Sequence, residues 1–180
     1  PSIDRPTTVR RVPNLRGFLF PTVVDPLMRK VDLTEMESRM GPAAVSRPLT
    51  DALGTTDVAL NYYEIDPDES TAYGFHVHSD QEEVFYVQSG TVGFETAEGE
   101  VTVEAGEAVR FGPGEYQRSR NVGDERATLL VIGAPKEAGE TEILRECEDC
   151  GERTPHGLEM AEDKSAILAR CEECGTVTGR

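Results

Sequence analysis

Between Asp57 and Ala134 the chain is cut into eight short segments: DVALNYYEI, AYGFHVH, EVFYVQS, TVGFETA, EVTVEA, EAVRFG, QRSRNV and ATLLVIGA. They are rich in Val, Phe, Tyr and Thr, which pack well on a pleated surface. Turn-forming pieces such as DPDES, SG, AEGE, PGE and VGDE separate them. Connections this short leave no room for crossover helices, so neighbouring strands must run antiparallel. The expected fold class is all-β, an antiparallel barrel or sandwich of which the jelly roll is the compact eight-strand form.

The flanks read differently. Residues 1–56 form an irregular N-terminal arm broken by prolines at 1, 6, 13, 21, 26, 42 and 48. Within it DLTEMESRMGP predicts one short helix, with Asp32 or Thr34 as N-cap, Gly41 past its end and Pro42 as the stop. The arm is expected to pack against the following domain or against a second subunit, and a homodimer is the expected assembly. The barrel is expected over 57–136. A third unit, 143–180, carries all four cysteines of the chain.

Composition narrows the class of partner. The formal charge of -16 argues against nucleic acid or an anionic membrane, which are bound through surplus Lys and Arg. No apolar run approaches the roughly 20 residues of a membrane-spanning helix. Residues 1–20 lack the continuous apolar core of a secretory signal, so a cytoplasmic location is expected. Dense carboxylate with only three lysines, Lys30, Lys136 and Lys164, is what a surface adapted to strong brine shows, because salt screens its self-repulsion.

Two of the three histidines lie in GFHVHSDQEEVFYVQSG, residues 74–90. Residues two apart in a strand face the same side, so His76 and His78 project together while Val77 points away. A carboxylate at Glu83, where the next strand begins, completes a mixed nitrogen and oxygen set of the kind Zn, Mn, Fe, Co or Ni accept. The competing reading is two histidines on an exposed strand.

The stretch resembles the first motif of the cupin superfamily: a glycine, His-x-His, a spacer of three or four residues, Glu, six residues, Gly. His76, His78, Glu83 and Gly90 fit that spacing, with Gly74 lying closer to His76 than the pattern has it. The second cupin motif is approximated by GEAVRFGPGEYQRSRN, through Gly106, Glu107, Pro113, Gly114 and Asn121. The resemblance spans roughly residues 57–135 and implies a double-stranded β-helix, a jelly-roll barrel holding a divalent transition metal. Its fourth ligand, a histidine in the family, falls on Gln117. Glutamine offers a weaker amide oxygen. Three readings stay open there: a weak ligand, a hydrogen-bond partner of a metal-bound water, or a degenerate site.

The C-terminal cysteines form Cys-x2-Cys, twenty residues, Cys-x2-Cys-Gly, through Cys147, Cys150, Cys171 and Cys174. Paired thiolates at this spacing favour a tetrahedral Zn, each CxxCG making a tight knuckle, and the segment resembles a zinc ribbon. Two disulfides or a redox pair are the alternatives. A site saturated by four sulfurs would be structural. His156, beside a proline, is expected in a loop outside the ligand set. With 12 acidic against 5 basic residues over 137–180, protein contact or subunit packing is expected of the ribbon rather than nucleic acid.

Cupins include dioxygenases, isomerases, epimerases and decarboxylases, as well as sugar-binding and storage proteins. The resemblance therefore implies a metal-dependent enzyme acting on a small, oxygen-rich molecule. The alternative is a non-catalytic binding or sensing module whose ribbon contacts a protein partner. Tyr73, Tyr86, Tyr116, Arg110, Arg118 and Arg120 lie close in sequence, but half of such strand residues face solvent, so none is given a catalytic role.

Overall fold

The computed structural model describes residues 28–179. Nine strands build the barrel region: β1 (Val45–Pro48), β2 (Ala59–Ile65), β3 (Phe75–His78), β4 (Glu82–Ser89), β5 (Thr91–Thr96), β6 (Gly99–Glu104), β7 (Ala108–Phe111), β8 (Gln117–Asn121) and β9 (Ala127–Ala134). Four more follow: β10 (Thr141–Cys147), β11 (Glu152–Met160), β12 (Ile167–Cys171) and β13 (Val177–Gly179). They form a five-stranded sheet in the order β1-β2-β9-β4-β7 and an eight-stranded sheet in the order β13-β12-β11-β10-β3-β8-β5-β6. Each of the eight segments read from the sequence contains one of β2 to β9 or coincides with it to within a residue.

Alternation explains why the two sheets close on one another. In β9, Ala127, Leu129 and Val131 are buried, whereas the residues between them are only partly covered. Ile65, Val87, Val92 and Val103 join them in one core. Phe85 of β4 and Phe111 of β7 come from one sheet and Phe94 of β5 from the other. Their rings pack at centroid distances of 5.0, 5.5 and 5.9 Å, mostly edge-on or tilted. This trio bolts the sheets together, since offset and edge-to-face contacts add to what area burial supplies.

The arm departs from expectation. In place of a helix over DLTEMESRMGP there is a single 3-10 turn, Leu33–Glu35, and by Met36 the backbone is already extended. Asp32 does cap it, accepting from the Thr34 amide at 2.9 Å. No residue of the turn is buried, and a short helix without a packed face is not stable in water. Sheet pairing wins instead: Arg39 N–H donates to Ser46 C=O, and β1 runs antiparallel to β2 from Val45 opposite Glu64 to Pro48 opposite Asn61. A four-residue helix α1, Thr50–Leu53, then turns the chain into the barrel. Residues 1–27, with the first five of the arm's prolines, lie outside the described residues. Among the described residues no helix is long and apolar enough to cross a membrane.

The cysteine-bearing segment continues the barrel sheet. Strand β10 pairs with β3, Thr141 opposite His78 and Ile143 opposite His76, and its far half pairs with β11, Cys147 opposite Glu152. β11 to β13 then extend the sheet outward as an antiparallel meander. His156 is not in a loop: it is a buried residue of β11, opposite Cys171, because the flanking residues are recruited into the ladder that carries the second cysteine pair.

Candidate metal centres

Three strands converge on the barrel centre. His76 and His78 project from β3, Glu83 from β4 in the facing sheet, and Gln117 from β8, directly opposite His76. One ligand-type atom from each of His76, His78 and Glu83 lies within 4.8 Å of the other two. Glu83 Oε2 is 3.8 Å from His76 Nε2 and 3.6 Å from His78 Nε2. Donors sharing one ion through 2.0–2.2 Å bonds sit about 3–3.6 Å apart, so the set fits such an ion with little adjustment.

The outward nitrogens fix what faces inward. His76 Nδ1 lies 3.1 Å from Gly74 C=O, which can only accept, so Nδ1 carries the proton and Nε2 presents its lone pair to the centre. His78 Nδ1 lies 2.8 Å from Thr141 Oγ1, leaving its Nε2 turned toward Glu83. This is the arrangement in which metal-ligating imidazoles are held, the distal nitrogen engaged and the proximal one free. Burial pushes the Glu83 carboxyl up, but His76 and then His78, when protonated on Nε2, outweigh it through hydrogen bonding and charge and bring the pKa down to about 2. Glu83 is therefore an anion at any physiological pH.

Gln117 is buried among these acceptors. Its amide nitrogen donates to Glu83 Oε2 at 2.9 Å and lies 3.0 Å from His76 Nε2, while its Oε1 has no partner. A buried unsatisfied carbonyl costs about 1–3 kcal/mol. The His76 lone pair, the His78 ring nitrogen and a carboxylate thus crowd one amide group, a set whose chemistry a dication satisfies far better than a single NH2. The space between His76, His78, Gln81, Glu83, Phe111, Glu115 and Gln117 amounts to about 180 Å³ with its mouth, too finely divided to admit a water. Larger clefts, of about 720 and 770 Å³ by the same measure, lie away from these four residues and share Asp68 and Arg118 in their linings.

The aromatic and basic residues near the motifs in sequence mostly turn away. Tyr86, Arg118 and Arg120 are exposed, and Arg110 is tied on the surface to Glu82 at 2.5 Å. Sequence reasoning missed Tyr63 of β2, whose hydroxyl is pushed up to about 12 by burial and then by the Glu83 charge. Strand alternation placed it on the face of Ile65, the one signal that pointed to it. It also missed Gln81, buried beside the centre and donating to Pro135 C=O at 2.7 Å.

The four cysteines form the second cluster, all four sulfurs within 4.8 Å of one another. Cys147 Sγ lies 3.5 Å from Cys174 Sγ and Cys150 Sγ 3.9 Å from Cys171 Sγ. A tetrahedron with 2.3 Å Zn–S bonds has edges of about 3.8 Å. Two equivalent knuckles make the cluster: Gly151 N–H donates to Cys147 C=O at 2.9 Å and Gly175 N–H to Cys171 C=O at 3.0 Å. Both glycines have φ near +75°, at 74° and 78°, where a side chain would be strained. The thiols are all free and do not titrate alike. Cys171 is held at about 6 by the Thr154 hydroxyl and by backbone N–H groups, and Cys174 is lowered by Thr176, whereas Cys150 is raised by its hydrogen bonds to Cys174 and Cys147. Four thiolates cannot form side by side without a cation to hold them, and the set fits a tetrahedral, thiol-binding metal ion. His156 is not a member of the group.

Residues 61–133 match the family model described as Cupin domain. No curated protein sequence matches the chain. Among solved structures, a sugar phosphate isomerase of the cupin superfamily from Silicibacter pomeroyi superposes with a TM-score of 0.54 at 22% identity, over 84% of this chain and 93% of that one. The polyketide cyclase RemF from Streptomyces resistomycificus gives a TM-score of 0.57 at 26% identity, over 68% and 89%. A double-stranded β-helix protein from Klebsiella pneumoniae gives 0.53 at 21%, over 64% and 96%. Residues 61–133 thus carry a cupin domain, set in a barrel with the cupin fold and followed by a four-cysteine cluster.

Proposed function

We propose that this protein is a metal-dependent cupin enzyme acting on a small, oxygen-rich metabolite. His76, His78 and Glu83 would hold a divalent ion, and Gln117 would complete the site as a weak ligand or as a hydrogen-bond donor to Glu83. The observation that carries the reading is the convergence of three ligand-type atoms within 4.8 Å, with each imidazole's distal nitrogen already engaged. Three protein ligands leave coordination positions open, and an ion so held supplies Lewis acidity toward a substrate oxygen. The protein's part is to exclude bulk water with Phe111 and to keep Glu83 ionised. The similar proteins named an isomerase and a cyclase agree with an enzyme of this kind without selecting a reaction. In the same reading the four cysteines hold a structural zinc, and the chain works as a homodimer.

A second reading, a binding module without turnover, is favoured by the outward course of the neighbouring arginines. Metal analysis of the purified protein, followed by a screen of small hydroxy acids, keto acids and sugar phosphates for dioxygen uptake, isomerisation or decarboxylation, separates the two. Turnover that disappears in His76→Ala supports the enzyme. A fully metal-loaded protein that binds such compounds and converts none puts the binding module in its place.

A further inference from the structure

The outer hydrogen bonds of both barrel histidines depend on one strand. Thr141, whose Oγ1 engages His78 Nδ1 at 2.8 Å, is the first residue of β10 and sits opposite His78 in the ladder. Gly74, whose carbonyl accepts from His76, is pressed against the same strand. A Cβ on it would come within 2.6 Å of Leu144 C=O and 2.8 Å of Ile143 Cγ2, so no other residue lets β10 approach. Arg145 of β10 donates to the neighbouring Tyr73 carbonyl at 2.5 Å. The approach to β10 is clamped to the turn after His78: Ser79 N–H donates to Glu140 C=O and Glu140 N–H to Ser79 Oγ, both at 2.9 Å. Six residues beyond Thr141 the strand ends at Cys147, the first sulfur of the four-cysteine cluster.

We propose that β10 couples the two centres. Thr141 is a positioning residue for His78, and metal in the cysteine cluster holds β10 where Thr141 and the Gly74 carbonyl orient both imidazoles. The two sites are therefore linked in affinity, and by thermodynamic reciprocity an ion in the barrel also tightens the ribbon. The inference rests on the metal reading of the barrel given above.

The test uses the full chain with zinc in the cysteine cluster and cobalt(II) titrated into the barrel against a competing chelator. Loss of the outer hydrogen bond on a ligating histidine costs about 10–100-fold in metal affinity, and Thr141→Val is expected to fall in that range. Thr141→Ser, which keeps the hydroxyl, retains wild-type affinity. The His78 Nδ1 nitrogen resonance moves in the valine variant and not in the serine variant. In a Cys147→Ser, Cys171→Ser double variant the barrel still takes up cobalt, but with affinity reduced about tenfold or more, by the same loss of imidazole orientation. If that variant does not fold, wild type with zinc removed and its thiols capped by a small methanethiosulfonate gives the same readout. Unchanged cobalt affinity after loss of the cysteine metal overturns the coupling. Equal affinity in wild type and Thr141→Val, or equal losses in the valine and serine variants, overturns the positioning role. A wild-type barrel that takes up no cobalt at all refutes the underlying metal reading instead.

Discussion

The two centres of this molecule are assembled in opposite ways. Each half of the cysteine cluster is local: four residues and a glycine fold into a knuckle closed by one backbone hydrogen bond, and the ladder only has to bring two identical knuckles together. The barrel centre has no local half beyond His76 and His78. Its carboxylate comes from the other sheet, its amide from a neighbouring strand, and the groups that orient its imidazoles from Gly74 and from Thr141, 63 residues beyond His78. The donor atoms differ as well. Four sulfurs saturate a tetrahedral ion and leave nothing for chemistry, whereas two nitrogens and a carboxylate leave positions open. Local construction suits a site that must hold; dispersed construction suits a site that tunes an ion through its surroundings.

The sharpest way to break this comparison is to remove one centre at a time. Structural zinc contributes on the order of 10–16 kcal/mol to small metal-dependent folds, so Cys147→Ser with Cys171→Ser is expected to lose one metal and the dispersed resonances of β11 to β13. The barrel ion stays, more weakly held. His76→Ala should do the converse. Elemental analysis of both variants decides: a still-folded protein that loses both metals, or neither, shows that the sites are not distinct. Next in size comes the barrel core. Phe94→Ala removes the ring that bridges the sheets and should cost about 3–5 kcal/mol in urea unfolding while the cysteine zinc is retained. A loss below about 1 kcal/mol would mean that the trio does not carry the closure.

Acid provides a smaller, signed effect. In the metal-free protein the Glu83 carboxyl sits at about 2 against an ordinary 4.5, so its folded value is depressed. Such a group stabilises the fold above its unfolded pKa, and that contribution is lost as pH falls from about 4.5 toward 2. The loss is on the order of 2–3 kcal/mol. Unfolding of wild type and Glu83→Gln over that interval should converge as the pH drops, and parallel curves would remove Glu83 as the cause.

The eight barrel strands were legible because alternation and turn chemistry act over a few residues, and so were the knuckles, whose geometry is set within CxxCG. His76, His78, Glu83 and Gln117 were legible as a group through spacing and the cupin resemblance, and they do come together. What stayed hidden was whatever depends on distant pairing. Thr141 has no local mark of its role, and the cap and stop signals of Asp32 or Thr34, Gly41 and Pro42 promised a helix that found no surface to pack against. His156, next to Pro155, looked like a loop residue until the cysteine ladder claimed it.

The smallest effect bears on the ligand position where the barrel departs from the cupin pattern. Gln117 faces His76 across the ladder, is 2% exposed, and uses its only donor group on Glu83 and His76 while its Oε1 goes without a partner. An imidazole in its place brings a nitrogen ligand to a centre already rich in acceptors and removes the orphaned carbonyl, so Gln117→His should tighten a bound ion. A tenfold gain corresponds to about 1.4 kcal/mol. The cysteine cluster, reached only through β10, should respond in the same direction and more weakly. Gln117→Ala separates the two roles of the wild-type side chain: a ligand lost weakens the ion, whereas a hydrogen bond to Glu83 lost leaves the ion in place and raises the Glu83 pKa. Chelator titration of the three proteins reads the first outcome and carboxylate NMR the second. Equal metal retention in all three, with the Glu83 resonance unmoved, would show that position 117 plays no part in the centre, and the departure from the family pattern would then be a matter of packing alone.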